Sequence, residues 1–260
     1  MAGAPHDPPS VGVLPTDEQH AADLIDLRIG TEGLSLLAAG SVPLQELLTR
    51  VAEYAVRAVP GADGAGVTMF DSGHPDTVVA SASFVAELDV IQYRLMEGPC
   101  VTAAAEAHTV RSGSLGGERL WPRFGPRAGR LGIHSALSVP LVLADDILGA
   151  INIYAHAKDA FDDRAGELAE LFALPAAVAV HNAGLLARTE RTAAQLQAAL
   201  TSRSMIDQAI GIIRSRTGGT AEEAFTALTR ASQNGNTKLH RVAEQIVEES
   251  VRRARARHQP

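Results

Sequence analysis

Residues 198–249 read AALTSRSMIDQAIGIIRSRTGGTAEEAFTALTRASQNGNTKLHRVAEQIVEE, and the punctuation of this stretch decides how the chain is built. Gly218-Gly219 stops one amphipathic run, Thr220 stands where a helix N-cap belongs, and Glu223 three residues on completes a capping box. Ala224, Phe225, Leu228 and Ala231 then share a helix face, and Asn234-Gly235-Asn236 turns the chain. Leu239, Val242, Ala243, Ile246 and Val247 form the next apolar stripe. With Ile206, Ile210 and Ile213 on the facing side, the spacing predicts a three-helix bundle whose small core centres near Phe225.

Charge sets this module apart. From Arg188 onward there are twelve Lys and Arg against seven Asp and Glu, a net of +5, while the preceding residues carry −12 and the whole chain −7. A basic module on an acidic body fits a local nucleic-acid partner, although +5 also fits a solvated surface. With 260 residues and 46% apolar content, two globular domains are expected. No apolar run approaches the ~20 residues that cross a bilayer. The Pro-rich start lacks the basic-then-apolar pattern of a secretory signal, so a disordered tail over 1–20, no membrane partner and a cytoplasmic location are expected. Cys100 is the one cysteine, which excludes an intramolecular disulfide framework and a Cys-rich zinc site.

Before the basic module the periodicity changes repeatedly. Leu24, Ile25, Ile29, Leu34 and Leu37 predict a helix ended by Gly40, and Leu44, Leu47, Leu48, Val51, Tyr54 and Ala55 a second that opens at Ser41. GVTMF and TVVASA read as strands around the turn DSGHPD, a helix follows over Phe84 to Leu95, and HTVRS reads as a short strand. In SALSVPLVLADDILGAINIYA two β-rich runs flank Asp145-Asp146 and predict a hairpin. The class is α+β, an antiparallel sheet with helices packed on one face. From Asp163 to about Arg216 the main breaker is Pro175, expected to kink the helix or start a new one. A 4,3 spacing through Leu185, Thr189, Thr192, Leu196, Ala199, Arg203, Ile206, Ile210 and Ile213 reads as a seam for a parallel homodimer, or as one helix packing on its own domain.

EGPC, WPRF, SALSVPL, ILGAINIYA and FDD, followed by a long closing helix, resemble a GAF domain of the type found in actinobacterial regulators, over 43–184. The resemblance implies a central antiparallel sheet and a pocket that in some members holds a small molecule, a chromophore or a haem. No cofactor is identified here, and an unknown small-molecule effector is the expected occupant. Asn152, Phe161, Asp162 and Asp163 resemble part of the cyclic-nucleotide-binding pattern, with apolar residues where that pattern has Lys. The reductase branch of the family uses several cysteines, and Cys100 alone cannot form that disulfide.

The order AL, SR, IDQAIGII, EEAF, AL, S, KL and VA-IV is similar to an ANTAR domain over 189–250, reached through a connecting helix at 185–200 and followed by a basic tail at 251–260. Where many members carry Lys in an A-K-G triplet, this chain has Ile210 between Ala209 and Gly211. The resemblance implies a three-helix bundle that binds stem-loop RNA in nascent transcripts and acts in transcription antitermination.

Stem-loop recognition combines phosphate neutralisation with reading of splayed bases. The candidate RNA-binding residues are Arg203, Arg214, Arg230, Asn236, Lys238 and Arg241. Phe225, assigned to the core, leaves stacking to Arg planes. Cys100 is a candidate sensor thiol if exposed at a helix start, and otherwise a small buried apolar residue. His108, His134, His156 and His181 lack metal-motif spacing, so no metal is expected, and Trp121 with Phe124 reads as core. No nucleophile and base pair at motif spacing, and no Gly-rich phosphate loop occurs, so no enzyme is expected. A helix-turn-helix DNA-binding factor and a sensor working through protein contacts are the alternatives.

Overall fold

The computed structural model describes residues 16–39, 42–71, 74–144 and 146–257. They fall into two compact units, within 1–187 and 188–260.

The first unit is built on a five-stranded sheet of order β2-β1-β5-β4-β3, with β1 at Gly64–Asp71, β2 at His74–Ala80, β3 at Val110–Ser112, β4 at Ser135–Leu143 and β5 at Asp146–Ala155. Every neighbouring pair is antiparallel. Alternation along the strands sorts their side chains between two faces. Ala65, Val67, Leu137, Val139, Leu141, Ile151 and Ile153 join one core with three helices: α1 (Asp17–Ala39), α2 (Leu44–Ala58) and the first part of α6 (Asp163–Thr217). Ala136 and Tyr154 face the other way. They pack with Val85 and Leu88 of α3 (Ser83–Leu95), Ala103 of α4 (Pro99–Glu106), Ala128 of α5 (Gly125–Arg130), and Trp121 and Phe124.

The sheet is therefore covered on both faces, not the one face expected from sequence. The reason lies in β5, where every residue from Gly149 to Ala155 is buried. The residues that read as its polar side, Asn152 and Tyr154, find hydrogen-bond partners under α3 instead of in water.

Four other boundaries move. The helix α1 starts at Asp17, inside the stretch expected to be a tail. Thr16 accepts from the Gln19 N–H at 3.3 Å and Gln19 Oε1 accepts from the Thr16 N–H at 2.8 Å, a capping box that closes the first turn. Residues 1–15 of the expected tail lie outside the described residues, as does Gly40, the expected helix stop, and Ser41, the expected start of the second helix. The β4–β5 hairpin turns one residue earlier than predicted: Leu143 pairs with Asp146, and Ala144 takes the left-handed φ of 54° that such a turn requires. Asp145 itself lies outside the described residues. Pro175 neither ends nor restarts the helix, because the burial of Phe172, Ala173, Ala176, Ala177 and Val180 around it outweighs one missing backbone bond. Finally, α8 (Leu239–Arg257) takes in most of the expected basic tail. Glu249 holds Arg252 at 2.8 Å and Arg253 at 2.7 Å across one helical turn.

In the second unit the end of α6, α7 (Ala221–Asn234) and α8 enclose a core of Ala209, Leu228, Val242 and Ala243, flanked by Met205, Ile206, Ile213, Leu239, Ile246 and Val247. Gly218 has φ +72°, the left-handed conformation that closes a helix C-terminus. Thr220 then caps α7: its hydroxyl accepts from the Glu223 N–H at 3.2 Å, and Glu223 Oε2 accepts from the Thr220 N–H at 2.9 Å. Phe225 is not the centre of this core. It stands 45% exposed, about 100° of helix away from buried Ala224.

Candidate functional site

In the first unit the α3 side of the sheet holds a chain of buried polar groups. Ser138 donates to Asn152 Oδ1 at 3.0 Å across paired β4 and β5. Asn152 Nδ2 donates to Asp89 Oδ1 at 3.4 Å and to the Tyr93 hydroxyl at 3.3 Å, and the Tyr154 hydroxyl donates to Asp89 Oδ1 at 3.0 Å. The Tyr93 hydroxyl also meets Thr68 and, at 3.2 Å, Cys100 Sγ. Gly66 makes room for this arrangement, since a Cβ there would stand 2.7 Å from Asp89 Oδ2.

That oxygen and Gln92 Nε2 are buried without a partner. Burial pushes Asp89 up to about 7 against the bonds from Tyr154 and Asn152, so the carboxyl changes charge around neutral pH. Tyr93 and Tyr154 are both pushed well above their ordinary range, first by burial and then by the Asp89 carboxylate.

Cys100 lies in the first turn of α4 but is fully buried, its N–H donating to Gln92 Oε1 at 2.9 Å. Burial pushes the thiol up to about 12, so the exposure and thiolate character a reactive sensor requires are both missing.

Beside this cluster a cavity of about 430 Å³ is lined by Phe70, Pro75, Met96, Val101, Ala104, Ala105 and Ile147. Among the described residues the lining is mostly apolar, which suits a largely apolar molecule. His156 pairs with Asp63 at 2.9 Å and His108 with Glu106 at 3.4 Å. No group of three metal-ligating side chains occurs among the described residues. Asp162 accepts from the Ala165 N–H at 2.8 Å to start α6, and Asp163 pairs with Arg111 at 2.7 Å. The acidic pair thus serves a helix start and a surface ion pair.

In the second unit Arg203, Arg214, Arg230, Asn236, Lys238 and Arg241 are all exposed. Among the described residues Arg203, Arg214, Arg230 and Lys238 hold no ion pair, whereas Arg241 bonds Glu244 at 2.9 Å. The six do not form one patch. Arg203 and Arg214 are eleven residues apart, which at about 100° per residue places them on the same side of α6. A groove of about 670 Å³ opens between α6 and the start of α8, lined by Ala194, Gln197, Ala198, Thr201, Ser202, Met205, His240, Arg241 and Glu244. Its α6 residues lie about half a turn from Arg203 and Arg214. Arg241 therefore lines a concave surface, Lys238 lies just before α8, and Arg203 and Arg214 stand on the far side of α6. Exposed Phe225 is a further base-stacking candidate that sequence reasoning missed. Its apolar character and i, i+3 relation to Leu228 pointed to the core, and only the three-dimensional packing shows that Ala209 and Leu228 already fill it.

The seam predicted along α6 also divides. Ile206 and Ile213 pack into the second unit's own core, whereas Leu185 and Leu196 remain 58% and 61% exposed.

Residues 41–181 match the model of the GAF domain, and residues 194–247 match that of the ANTAR domain. Among solved structures, free methionine-R-sulfoxide reductase from Neisseria meningitidis, in complex with its substrate, is similar at 16% identity and a TM-score of 0.50, covering 68% of this chain and 98% of that one. The photosensory core module of Stigmatella aurantiaca phytochrome matches at 13% identity and a TM-score of 0.49, over 76% of this chain and 43% of that one. The GAF domain of an Acinetobacter phosphoenolpyruvate-protein phosphotransferase matches at 13% identity and a TM-score of 0.46, over 64% and 97%. A comparison with curated proteins gave no match.

Proposed function

Because the chain belongs to the GAF domain family and carries a segment matching the ANTAR domain, we propose that it is a non-enzymatic cytoplasmic regulator of transcription antitermination. Both are regulatory domain types. In this reading the second unit binds stem-loop RNA in nascent transcripts, and the first unit governs that binding through a largely apolar small molecule in the cavity beside α4. The observation that carries the reading is the separate unit at 188–260. It has a net positive charge, a capped three-helix core, Arg241 on a concave face and exposed Lys238 three residues before it, all within or beside the ANTAR-matched residues. Phosphate contacts from these cations supply affinity, and an unpaired loop base fits the adjacent groove. A homodimer along the exposed part of α6, from Leu185 to Leu200, completes the proposal by presenting two RNA-binding units to paired stem-loops.

The competing reading is a helix-turn-helix factor that binds duplex DNA. Competition separates them: unlabelled stem-loop RNA is expected to displace labelled stem-loop RNA at a concentration where duplex DNA of equal length does not. Equal displacement by DNA refutes the RNA reading, and no binding of either nucleic acid favours a sensor that works through protein contacts.

A further inference from the structure

Residues 107–134 carry Arg111, Arg119, Arg123, Arg127 and Arg130 against one acid, Glu118, in a stretch of chain before Arg188 whose net charge is −12. These are five of the eleven Lys and Arg in that stretch, and all five are exposed. The backbone lines up three of them. It is helical from Trp121, whose carbonyl accepts from the Gly125 N–H at 2.9 Å, to Leu131, whose N–H donates to the Arg127 carbonyl at 3.3 Å. Arg123, Arg127 and Arg130, four and three residues apart, therefore share one side, while Trp121, Phe124 and Ala128 turn into the core with α3. Arg119 follows the tight turn Leu115–Gly117, which packs against α5 so closely that a Cβ on Gly129 would stand 3.4 Å from Gly116 Cα.

Arg123 is fixed in place. Its Nε donates to Glu97 Oε2 at 2.8 Å and a terminal nitrogen donates to the Leu95 carbonyl at 2.9 Å, next to exposed Arg94. Glu118 is engaged locally, accepting from the Ser112 hydroxyl at 3.3 Å and the Arg119 N–H at 2.9 Å. Among the described residues Arg94, Arg119, Arg127 and Arg130 hold no ion pair. Unpaired cations at fixed spacing on an acidic body draw a polyanion to that spot and not to the rest of the surface.

We propose that this arginine stripe is a phosphate-tracking surface that takes the single-stranded RNA continuing beyond the stem-loop. The proposal rests on the RNA reading above and adds a second surface to it, within the first unit. Two arguments select RNA over an acidic protein. Arg123 to Arg130 span about 10 Å of helix axis, and a nucleic-acid strand advances about 3.4 Å per phosphate, so three cations answer about three successive phosphate steps. Protein interfaces are anchored by apolar and aromatic side chains. Here the exposed positions among the arginines are Gly116, Gly117, Leu120, Pro122 and Pro126, and Leu120 is the one large apolar side chain. Cations without an apolar centre read backbone charge, and guanidinium planes stack on unpaired bases whatever their sequence.

The test measures the affinity of the full chain, across a salt series, for a stem-loop RNA and for the same stem-loop extended by roughly ten unpaired nucleotides. One variant combines Arg119→Gln, Arg127→Gln and Arg130→Gln. A control combines Arg28→Gln, Arg50→Gln and Arg57→Gln, which removes the same charge from α1 and α2, and Trp121 emission with circular dichroism monitors the fold. The extension is expected to tighten binding by the natural chain about tenfold. The stripe variant loses that gain, its salt slope on the extended RNA falls by about 2, and its affinity for the bare stem-loop is unchanged; the control keeps the gain. An extension that adds nothing to the natural chain, a folded stripe variant that keeps the gain, or an equal loss in the control overturns the inference and leaves stem-loop binding standing. Polyglutamate that cancels the gain as well as unpaired RNA of equal charge assigns the stripe to an acidic polypeptide and overturns it too. A natural chain that binds neither RNA refutes the RNA reading itself, and the inference with it.

Discussion

Replacing Asp89 with Asn tests the account of the buried polar cluster. Asp89 Oδ1 accepts from Tyr154 and Asn152, and an Asn side-chain oxygen keeps both bonds. Its other oxygen has no partner, so an amide nitrogen there loses nothing the acid had. What changes is the charge. With a folded value of about 7 against the ordinary 3.8, the folded state holds its proton more tightly than the unfolded chain does. The stability tied to that proton is fully present below pH 3.8 and is lost as pH rises through 7. Roughly three units at 1.36 kcal/mol each make the ionised acid cost about 4 kcal/mol at pH 8, falling to about 2 kcal/mol at pH 5. Asp89→Asn is therefore expected to be the more stable protein in urea, with a gap that widens by about 2–3 kcal/mol from pH 5 to pH 8. Trp121 is the one tryptophan and sits in the core on the same side of the sheet, so its fluorescence reports unfolding of this unit alone. Equal stabilities at pH 8, or a gap that does not change with pH, refute the reasoning.

Other perturbations have expected outcomes of different kinds. Removing the charges of Lys238 and Arg241 together should weaken stem-loop binding about tenfold and lower the salt slope by about 1–2, and unchanged binding would exclude this end of the groove. Thr220→Ala removes the capping bond to the Glu223 N–H and should cost about 1 kcal/mol, read as faster amide exchange in α7; unchanged exchange would count against it. Phe225→Ala should cost less than about 1 kcal/mol in stability, whereas truncating the buried Phe172 should cost about 3–5 kcal/mol; similar losses at both would put Phe225 back in a core. Cys100 should resist a thiol reagent until urea unfolds the first unit, and stoichiometric labelling of the native protein would reverse the burial argument.

What could be read from residues alone follows how local the responsible physics is. Thr220 with Glu223 announces a helix start because both capping bonds close within four residues, and the structure contains them. The same pattern at Thr16 and Gln19 is equally local, but it follows a Pro-rich segment whose composition is that of a disordered chain. Phe225 reads as core from sequence because an apolar residue beside a core stripe looks the same as one within it; the core that forms is Ala209, Leu228, Val242 and Ala243. The pairing of Asp89 on α3 with Asn152 and Tyr154 on β5 joins residues more than sixty positions apart, and nothing in either segment names the other. Coverage of the sheet on both faces was hidden for a related reason. Asn152 and Tyr154 look solvent-facing until their partners are known.

The most direct test of the central claim is binding of the purified full chain to a paired stem-loop RNA, beside a scrambled RNA of equal length, across a salt series. The account predicts preference for the paired stem-loop at every salt concentration and an affinity that falls linearly on a logarithmic salt scale, with a shallower slope once Lys238 and Arg241 are neutralised. Equal affinity for the scrambled RNA, or binding indifferent to salt, would contradict it.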